Sequence, residues 1–211
     1  MSQTNLFGLN EGDKSPFVIK TGLNVVENGE FLFYPDFFPK QLSDNYFQKL
    51  KNNIDWKQES MNIYGKKIPF PRLTSWYGDQ EKAYTFSGLT LHPNAWFNEL
   101  IEIKSLIEPI ANIRFNSVLL NLYRNGNDSI SWHSDAEKEL GINPIIGSVN
   151  FGETRLFQLR HKETKEKIDF NLRNGSLLIM RGELQHYWQH QIPKTNKFVK
   201  ERINLTFRVL N

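Results

Sequence analysis

Apolar and polar residues alternate with a period of two through most of the chain after Phe115, and this pattern limits the fold more than any other feature. A period of two is typical of β-strands, because successive side chains of a strand point to opposite faces. Turn residues such as Asn125-Gly126 and Asn174-Gly175 separate the alternating segments. The predicted strands are residues 118–123, 145–151, 155–160, 168–172, 176–180, 187–191 and 203–209. Many short strands separated by turns predict an antiparallel sandwich or barrel.

The first half of the chain predicts two helices beside this β-rich part. Apolar residues recur at helical spacing within residues 40–53 and within residues 95–108. Asn94 is the candidate N-cap of the second helix, and Pro109 is its predicted end. Further extended segments are predicted at residues 31–34, 56–64 and 66–76. We therefore expect a mainly β fold with flanking helices that cover one face of the sheet.

Length and composition narrow the class of protein. The 211 residues are enough for one core, so we predict a single domain over residues 29–211 after an N-terminal extension over residues 1–28. The absence of cysteine excludes disulfides and cysteine-bound zinc, and it favours an intracellular protein of the nucleus or the bacterial cytoplasm. We expect no membrane span and recognise no signal peptide. The net charge of +3 slightly favours polyanionic partners.

His133 and Asp135 are spaced for joint metal binding, because residues i and i+2 of an extended segment point the same way. We predict His186, which begins another strand-like stretch, as the third ligand. Two histidines and one carboxylate leave one side of a metal open, as in Fe(II) oxygenases. Zinc with an open position, or solvated surface residues without a metal, are the alternatives. The other histidines, which we interpret as structural or surface residues although each is an alternative ligand, are His92, His161 and His190.

The strand predicted near the C-terminus has one polar and one apolar face. Its polar residues are Arg202, Asn204, Thr206 and Arg208. If this face is buried, the two arginines need anions, and a dicarboxylate offers one carboxylate to each guanidinium. Asn121 and Tyr123 alternate in the same way and are candidates for further hydrogen bonds. An ordinary amphipathic strand with solvated arginines is the alternative interpretation.

Together these residues resemble the AlkB-type Fe(II)/2-oxoglutarate dioxygenases over roughly residues 56–210, and most closely the duplex-DNA repair homologues of animals. The matching segments are Tyr84-Thr-Phe-Ser-Gly-Leu-Thr-Leu91, Asn121-Leu-Tyr123, His133-Ser-Asp135, Ser148-Val-Asn-Phe-Gly152, Arg160-His-Lys162, Gly175-Ser-Leu-Leu178, His186 and Arg202-Ile-Asn-Leu-Thr-Phe-Arg208. The resemblance implies a double-stranded β-helix (jelly-roll) core over about residues 115–210 and a nucleotide-recognition lid over about residues 56–92. It also implies that 2-oxoglutarate is held by Asn121, Tyr123, Arg202, Asn204, Thr206 and Arg208.

The reaction implied by the resemblance is direct-reversal repair of alkylated DNA. Fe(II), 2-oxoglutarate and O2 would oxidise an N-methyl group of 1-methyladenine or 3-methylcytosine, with release of formaldehyde, succinate and CO2. We expect a monomeric enzyme that acts on duplex DNA. The alternatives are an RNA or single-strand demethylase, a protein-modifying dioxygenase and a non-catalytic nucleic-acid-binding module.

Chemistry on a base inside a duplex requires that the base be flipped out of the stack. By resemblance, Phe86 would stack on the flipped base opposite His133, and Tyr84 and Ser87 would complete the pocket. Glu137 is a candidate contact to the base edge. Residue 136 is alanine, where the duplex-repair homologues typically carry a second acidic residue, and this leaves the base preference open.

Tyr64, beside Gly65, occupies the place from which the related duplex enzymes insert a finger residue into the base stack. Such a wedge would fill the gap that the flipped base leaves. Basic residues nearby and in later loops are candidates for phosphate contacts, which dominate nucleic-acid affinity. The predicted phosphate contacts are Lys66, Arg72, Arg160, Lys162 and Lys167.

Overall fold

The computed structural model describes residues 17–63, 65–81, 84–86 and 89–211, without the side chains of residues 63, 84–86 and 89–91. The strands are β1 (Gly22–Val26), β2 (Gly29–Tyr34), β3 (Ser60–Ile63), β4 (Lys66–Pro69), β5 (Leu73–Gly78), β6 (Tyr84–Phe86), β7 (Leu89–Leu91), β8 (Ser117–Tyr123), β9 (Ile130–His133), β10 (Ile146–Gly152), β11 (Arg155–His161), β12 (Lys167–Leu172), β13 (Ser176–Arg181), β14 (Trp188–Ile192) and β15 (Arg202–Arg208). The helices are α1 (Lys40–Asn53), α2 (Asn98–Ala111) and the short α3 (Leu184–Tyr187), and Lys138–Leu140 forms a 3-10 turn.

Two antiparallel sheets form the core, as the alternating pattern predicts. The seven-stranded sheet has the order β1-β2-β13-β10-β15-β8-β5, and the four-stranded sheet has the order β12-β11-β14-β9. Phe33 and Met180 of the large sheet share one hydrophobic cluster with Phe157 and Trp188 of the small sheet. The two sheets therefore enclose a common interior, which agrees with the sandwich predicted from the alternation and with the jelly-roll core that the resemblance implies.

The outer face of the large sheet is covered by α1 and α2. Leu50 of α1 and Ile103 of α2 belong to a second hydrophobic cluster that also contains Leu120 and Leu205 of the sheet. Because the large sheet is covered on both faces, six of the seven residues of β15 are buried. The polar face of this strand consequently lies in the interior between the sheets, where unpaired charges are costly.

The structure corrects the predicted limits of the second helix. Asn94 does not cap it, because its main chain bonds to Trp76 and Gly78 beside β5, and α2 begins only at Asn98. Pro109 does not end it either, and the helix continues until Asn112 adopts the left-handed conformation. A proline costs one main-chain hydrogen bond, and burial of Ile107 and Ala111 in the core offsets that cost.

The N-terminal and lid predictions have different outcomes. The predicted extension over residues 1–28 is too long, because Gly22–Val26 form β1, which pairs with β2 at the edge of the large sheet. The predicted lid contains two small hairpins, β3–β4 and β6–β7, and its role stays a prediction.

Within the described part of the chain, no helix is long and apolar enough to cross a membrane.

Candidate metal centre and co-substrate cavity

His133, Asp135 and His190 bring their potential ligand atoms within 4.8 Å of one another. His133 is the last residue of β9, and it lies opposite His190 of the neighbouring strand β14. Their ring centroids are 4.2 Å apart. The two imidazoles come from the paired strands β9 and β14, and the carboxylate comes from the segment that follows β9. Two imidazoles and one carboxylate are the donor set expected for a non-haem Fe(II) site.

The prediction of His186 as the third ligand is wrong. His186 is exposed in α3, where its main-chain N–H bonds to Glu183, and the strand begins only at Trp188. The prediction assumed that the alternation of this strand begins at His186, but the short helix α3 occupies that position. Within β14 the buried side chains are Trp188, His190 and Ile192, so His190 faces the interior. A period of two counted from Trp188 would have identified it.

Both histidines of the cluster are held in a form that can bind a metal. His133 Nδ1 lies 2.8 Å from the carbonyl oxygen of Ser131. Because a carbonyl can only accept, Nδ1 carries a proton, and Nε2 is the nitrogen that is left to bind a metal. Burial, reinforced by the neighbouring His133, lowers the pKa of His190 to about 3, so this imidazole is neutral at physiological pH. A metal requires neutral imidazole ligands.

Asp135 is buried but ionised. Burial acts to raise the pKa of its carboxyl. The charge and hydrogen bond of Arg208, together with the neighbouring His190 and His133, outweigh burial, so the pKa lies below its ordinary value. Arg208 Nη2 donates to Asp135 Oδ1, and His190 Nε2 lies 3.7 Å from Oδ2. The carboxylate is therefore available as an anionic ligand beside the two imidazoles.

A cavity of about 50 Å³ adjoins the metal cluster between the two sheets. Its polar walls come from β15 and the neighbouring strand β8, where Arg202 pairs with Tyr123 and Asn204 pairs with Asn121. All the residues predicted to hold 2-oxoglutarate line it, namely Asn121, Tyr123, Arg202, Asn204, Thr206 and Arg208. The structure thus brings this predicted set together at one place.

The two arginines of the cavity have hydrogen-bond donors left over. Arg202 is 1% exposed, donates from Nη2 to Asn150 Oδ1 at 2.5 Å, and lies 4.9 Å over the Tyr123 ring. Among the described residues, Arg202 Nε and Nη1 and Arg208 Nε have no partner. Burial lowers the pKa of Arg202 to about 10, so it is still a cation. Buried cationic donors without partners fit a bound dicarboxylate such as 2-oxoglutarate.

Ser148 and Asn150 of β10 belong to this site, although the sequence did not identify them as site residues. Asn150 Oδ1 accepts from both Arg202 and Asn204, and Asn204 also donates to Ser148 Oγ at 2.9 Å. Thr206 Oγ1 in turn donates to Asn204 Oδ1. Ser148 and Asn150 are spaced i, i+2 on a predicted strand, like Asn121 and Tyr123, and this spacing was the signal.

A larger groove of about 400 Å³ opens beside the cavity and shares His133, Asp135 and Arg208 with it. Glu137, a predicted base contact, lines this groove together with Trp76 of β5. The backbones of Tyr84 and Phe86 lie in β6, but their side chains are outside the described part of the molecule. Ser87 and Tyr64 lie outside the described residues altogether. Their roles in base binding and in the finger stay predictions.

Two of the predicted phosphate contacts are used inside the protein. Arg72 is buried and donates from Nε to Asn121 Oδ1 at 2.8 Å and from Nη1 to the Ser129 carbonyl oxygen at 3.3 Å. Lys162 donates to two main-chain carbonyls of α3. A guanidinium and an ammonium committed in this way are poorly placed to bind DNA, so both predictions are corrected.

The other predicted phosphate contacts stay predictions. Lys66 and Lys167 are exposed. Arg160 is half-buried, with its guanidinium carbon 4.2 Å from the centroid of the Trp132 ring, and it donates to Gln189 Oε1. Trp132 immediately precedes the metal-cluster residue His133 in β9.

Comparison with known proteins places the geometry in a family context. The family model described as the 2OG-Fe(II) oxygenase superfamily matches residues 30–208. Alpha-ketoglutarate-dependent dioxygenase alkB homolog 3 of Bos taurus is 41% identical over 186 residues, which cover 83% of this chain and 64% of that protein. DNA oxidative demethylase ALKBH2 of Homo sapiens is 36% identical over 83% of this chain and 71% of its own length. The chain thus spans less than two thirds of the bovine relative.

A solved structure, titled the structure of OsALKBH1, superposes with a TM-score of 0.61. It covers 91% of this chain and all of its own length at 16% sequence identity. At this identity the similarity concerns the fold, and it agrees with the two facing sheets described above.

Proposed function

Because this chain belongs to the 2OG-Fe(II) oxygenase superfamily, and within it to the AlkB-type dioxygenases, we propose that it oxidatively removes alkyl groups from nucleic-acid bases. One observation carries the proposal. The His133–Asp135–His190 cluster lies between a cavity with unpaired arginine donors and an open groove of about 400 Å³. A metal in the cluster would contact a co-substrate on one side and a base on the other.

Bound Fe(II) and 2-oxoglutarate supply the oxidising chemistry with O2, and the protein supplies position and environment. Arg202 and Arg208 would bind the two carboxylates of 2-oxoglutarate, and Asn121, Tyr123 and Asn204 would orient it. Burial of this cavity excludes bulk water and so protects the reaction from unproductive turnover. The groove would hold the alkylated base, with Glu137 at its wall.

For the substrate, we propose DNA that carries 1-methyladenine or 3-methylcytosine, and duplex DNA in particular. The name of one relative, DNA oxidative demethylase, supports DNA. The alkylated bases are cationic, and the exposed carboxylate of Glu137 in the groove supports a preference for them. Tyr64 would act as the finger that fills the stack.

The test is a repair assay read by mass spectrometry. The protein is incubated with Fe(II), 2-oxoglutarate, ascorbate and a duplex oligonucleotide that carries one 3-methylcytosine, with the matched single strand in parallel. We expect loss of one methyl mass from the duplex with the wild type and no loss with Asp135→Ala. Turnover of 2-oxoglutarate without loss of the methyl mass would indicate that the substrate is RNA or protein. The absence of any turnover would favour a non-catalytic nucleic-acid-binding module.

The role proposed for Tyr64 has a separate test. Tyr64→Ala should lower repair of the duplex by about fivefold or more and leave repair of the single strand within about twofold, because stacking is worth roughly 1–3 kcal/mol per base. Equal losses on both substrates would contradict a finger and indicate a general structural role.

A further inference from the structure

Asp135 is a metal-cluster residue without a strand to hold its main chain. β9 ends at His133, and residues 134–137 are irregular until the 3-10 turn begins at Lys138. The ladder that fixes His133 and His190 therefore does not extend to Asp135. Its main-chain N–H donates instead to Oε1 of Gln185, at 2.9 Å.

Gln185 is placed to hold that bond rigidly. It lies in α3, and it is fully buried. Its Nε2 is 3.6 Å from the Met180 sulfur, a weak acceptor, while its Oε1 accepts from Asp135. Since the amide has a donor side and an acceptor side, these two contacts fix its orientation.

Lys162 fixes the segment that carries Gln185. It lies just after β11, and its Nζ donates to the Gln185 carbonyl oxygen at 3.0 Å and to the His186 carbonyl oxygen at 2.6 Å. These are carbonyls at the end of a helix of four residues, where no helical N–H is available to bond them. A cation is thus used to close the helix end from which Gln185 reaches Asp135.

We propose that Gln185 is a positioning residue for the metal-binding carboxylate of Asp135, and that Lys162 acts through Gln185. The inference rests on the proposed function only in requiring that the His133–Asp135–His190 cluster bind a divalent metal. Groups that orient metal ligands through hydrogen bonds typically change metal affinity by 10- to 100-fold when they are removed. We expect a weakening of metal binding of about 10- to 100-fold when Gln185 loses its hydrogen-bond acceptor.

The first experiment measures the dissociation constant of Mn(II) for the full chain by titration calorimetry, without O2. Gln185→Met removes the acceptor and keeps the volume, and we expect it to weaken Mn(II) binding about tenfold or more. Gln191→Met is the matched control, because Gln191 is half-buried on β14 and its side chain bonds only to the side chain of Gln158 among the described residues. It should bind Mn(II) like the wild type.

The second experiment tests the link through Lys162. Lys162→Met should weaken Mn(II) binding in the same direction, and Lys162→Arg, which keeps the cationic donors, should restore most of it. The visible absorption of bound Co(II) should change shape in Gln185→Met, since a displaced carboxylate alters the coordination geometry.

These measurements distinguish a positioning role of Gln185 from a purely structural role, and they can fail independently of the proposed function. Wild-type Mn(II) affinity and Co(II) spectrum in Gln185→Met, with only a lower melting temperature, would overturn the inference. If Gln185→Met fails to fold, equal Mn(II) affinities of Lys162→Met and wild type would overturn it instead. A wild type that binds Mn(II) but repairs no base would refute the proposed function and leave the inference standing.

Discussion

Arg208 donates from Nη2 to Oδ1 of Asp135, so one side chain joins the metal cluster to the co-substrate cavity. Arg208 lines both the cavity and the groove, and among the groups that lower the pKa of Asp135 against the effect of burial its charge is the largest contributor. Arg202, in contrast, lies at the other end of the same strand and bonds to Asn150. The two arginines therefore differ in what they support, although both belong to the same polar wall.

Replacing Arg208 by methionine should weaken the binding of both Mn(II) and 2-oxoglutarate, by about tenfold or more each. The metal loses an oriented carboxylate, and the co-substrate loses a guanidinium. Titration calorimetry with each ligand measures both effects. Arg202→Met is the matched control, which should lose 2-oxoglutarate binding and keep Mn(II) binding. An unchanged Mn(II) affinity in Arg208→Met would contradict the joint role.

Replacing His190 by alanine should abolish Mn(II) binding at concentrations that saturate the wild type, because only His133 and Asp135 remain as ligands. His186→Ala should bind Mn(II) within about twofold of the wild type, since His186 is exposed in α3. The pair is compared by Mn(II) titration at one pH. Retention of binding in His190→Ala, together with its loss in His186→Ala, would reverse the assignment.

Arg202→Met should leave the free protein as stable as the wild type or more stable, by up to about 4 kcal/mol. The reason is that two buried donor atoms of Arg202 have no partner among the described residues, so the charge costs more than it contributes before the anion binds. Urea unfolding without 2-oxoglutarate measures this difference. The same variant should lose the stabilisation by 2-oxoglutarate, which in the wild type reaches about 2.7 kcal/mol at a hundred times the dissociation constant. A marked loss of stability in the free variant would contradict this account.

Asp128→Asn should lower the free energy of unfolding at pH 7 by about 1–2 kcal/mol. The buried carboxylate of Asp128 accepts from the Arg124 main chain and guanidinium. Burial acts to raise its pKa, but the hydrogen bonds and charge of Arg124, together with the charge of Arg155, outweigh burial and lower the pKa. A pKa that is lower in the folded protein contributes stability above the unfolded value of about 3.9, and this stability is lost as the pH falls through the folded pKa.

Urea unfolding between pH 7 and pH 2 therefore distinguishes the two proteins. The difference between wild type and Asp128→Asn should be largest at neutral pH and should shrink below about pH 4. Asp169→Asn, which changes an exposed aspartate on β12, should follow the wild type. A constant difference across this range would show that the charge of Asp128 is not its source.

Local sequence patterns were sufficient to predict most of the helices and strands. The apolar spacing of residues 40–53 agrees with the bounds of α1, and the alternation after Phe115 agrees with most strands within one or two residues. Helical and extended spacing depend on residues that are close in the chain, so both can be predicted from the sequence. The ends of α2 could not be predicted in this way, because the bonds of Asn94 to β5 and the packing around Ala111 join distant segments.

The sequence by itself determined the two facing sheets, the polar wall from Arg202 to Arg208 and two of the three metal-cluster residues, because each depends on a period of two along a strand. Only the tertiary structure decided that His190 and not His186 completes the cluster, that Arg72 and Lys162 bond inside the protein, and that Gln185 holds Asp135. These are contacts between segments that are far apart in the chain, and their geometry is set by how the sheets and α3 pack rather than by local spacing.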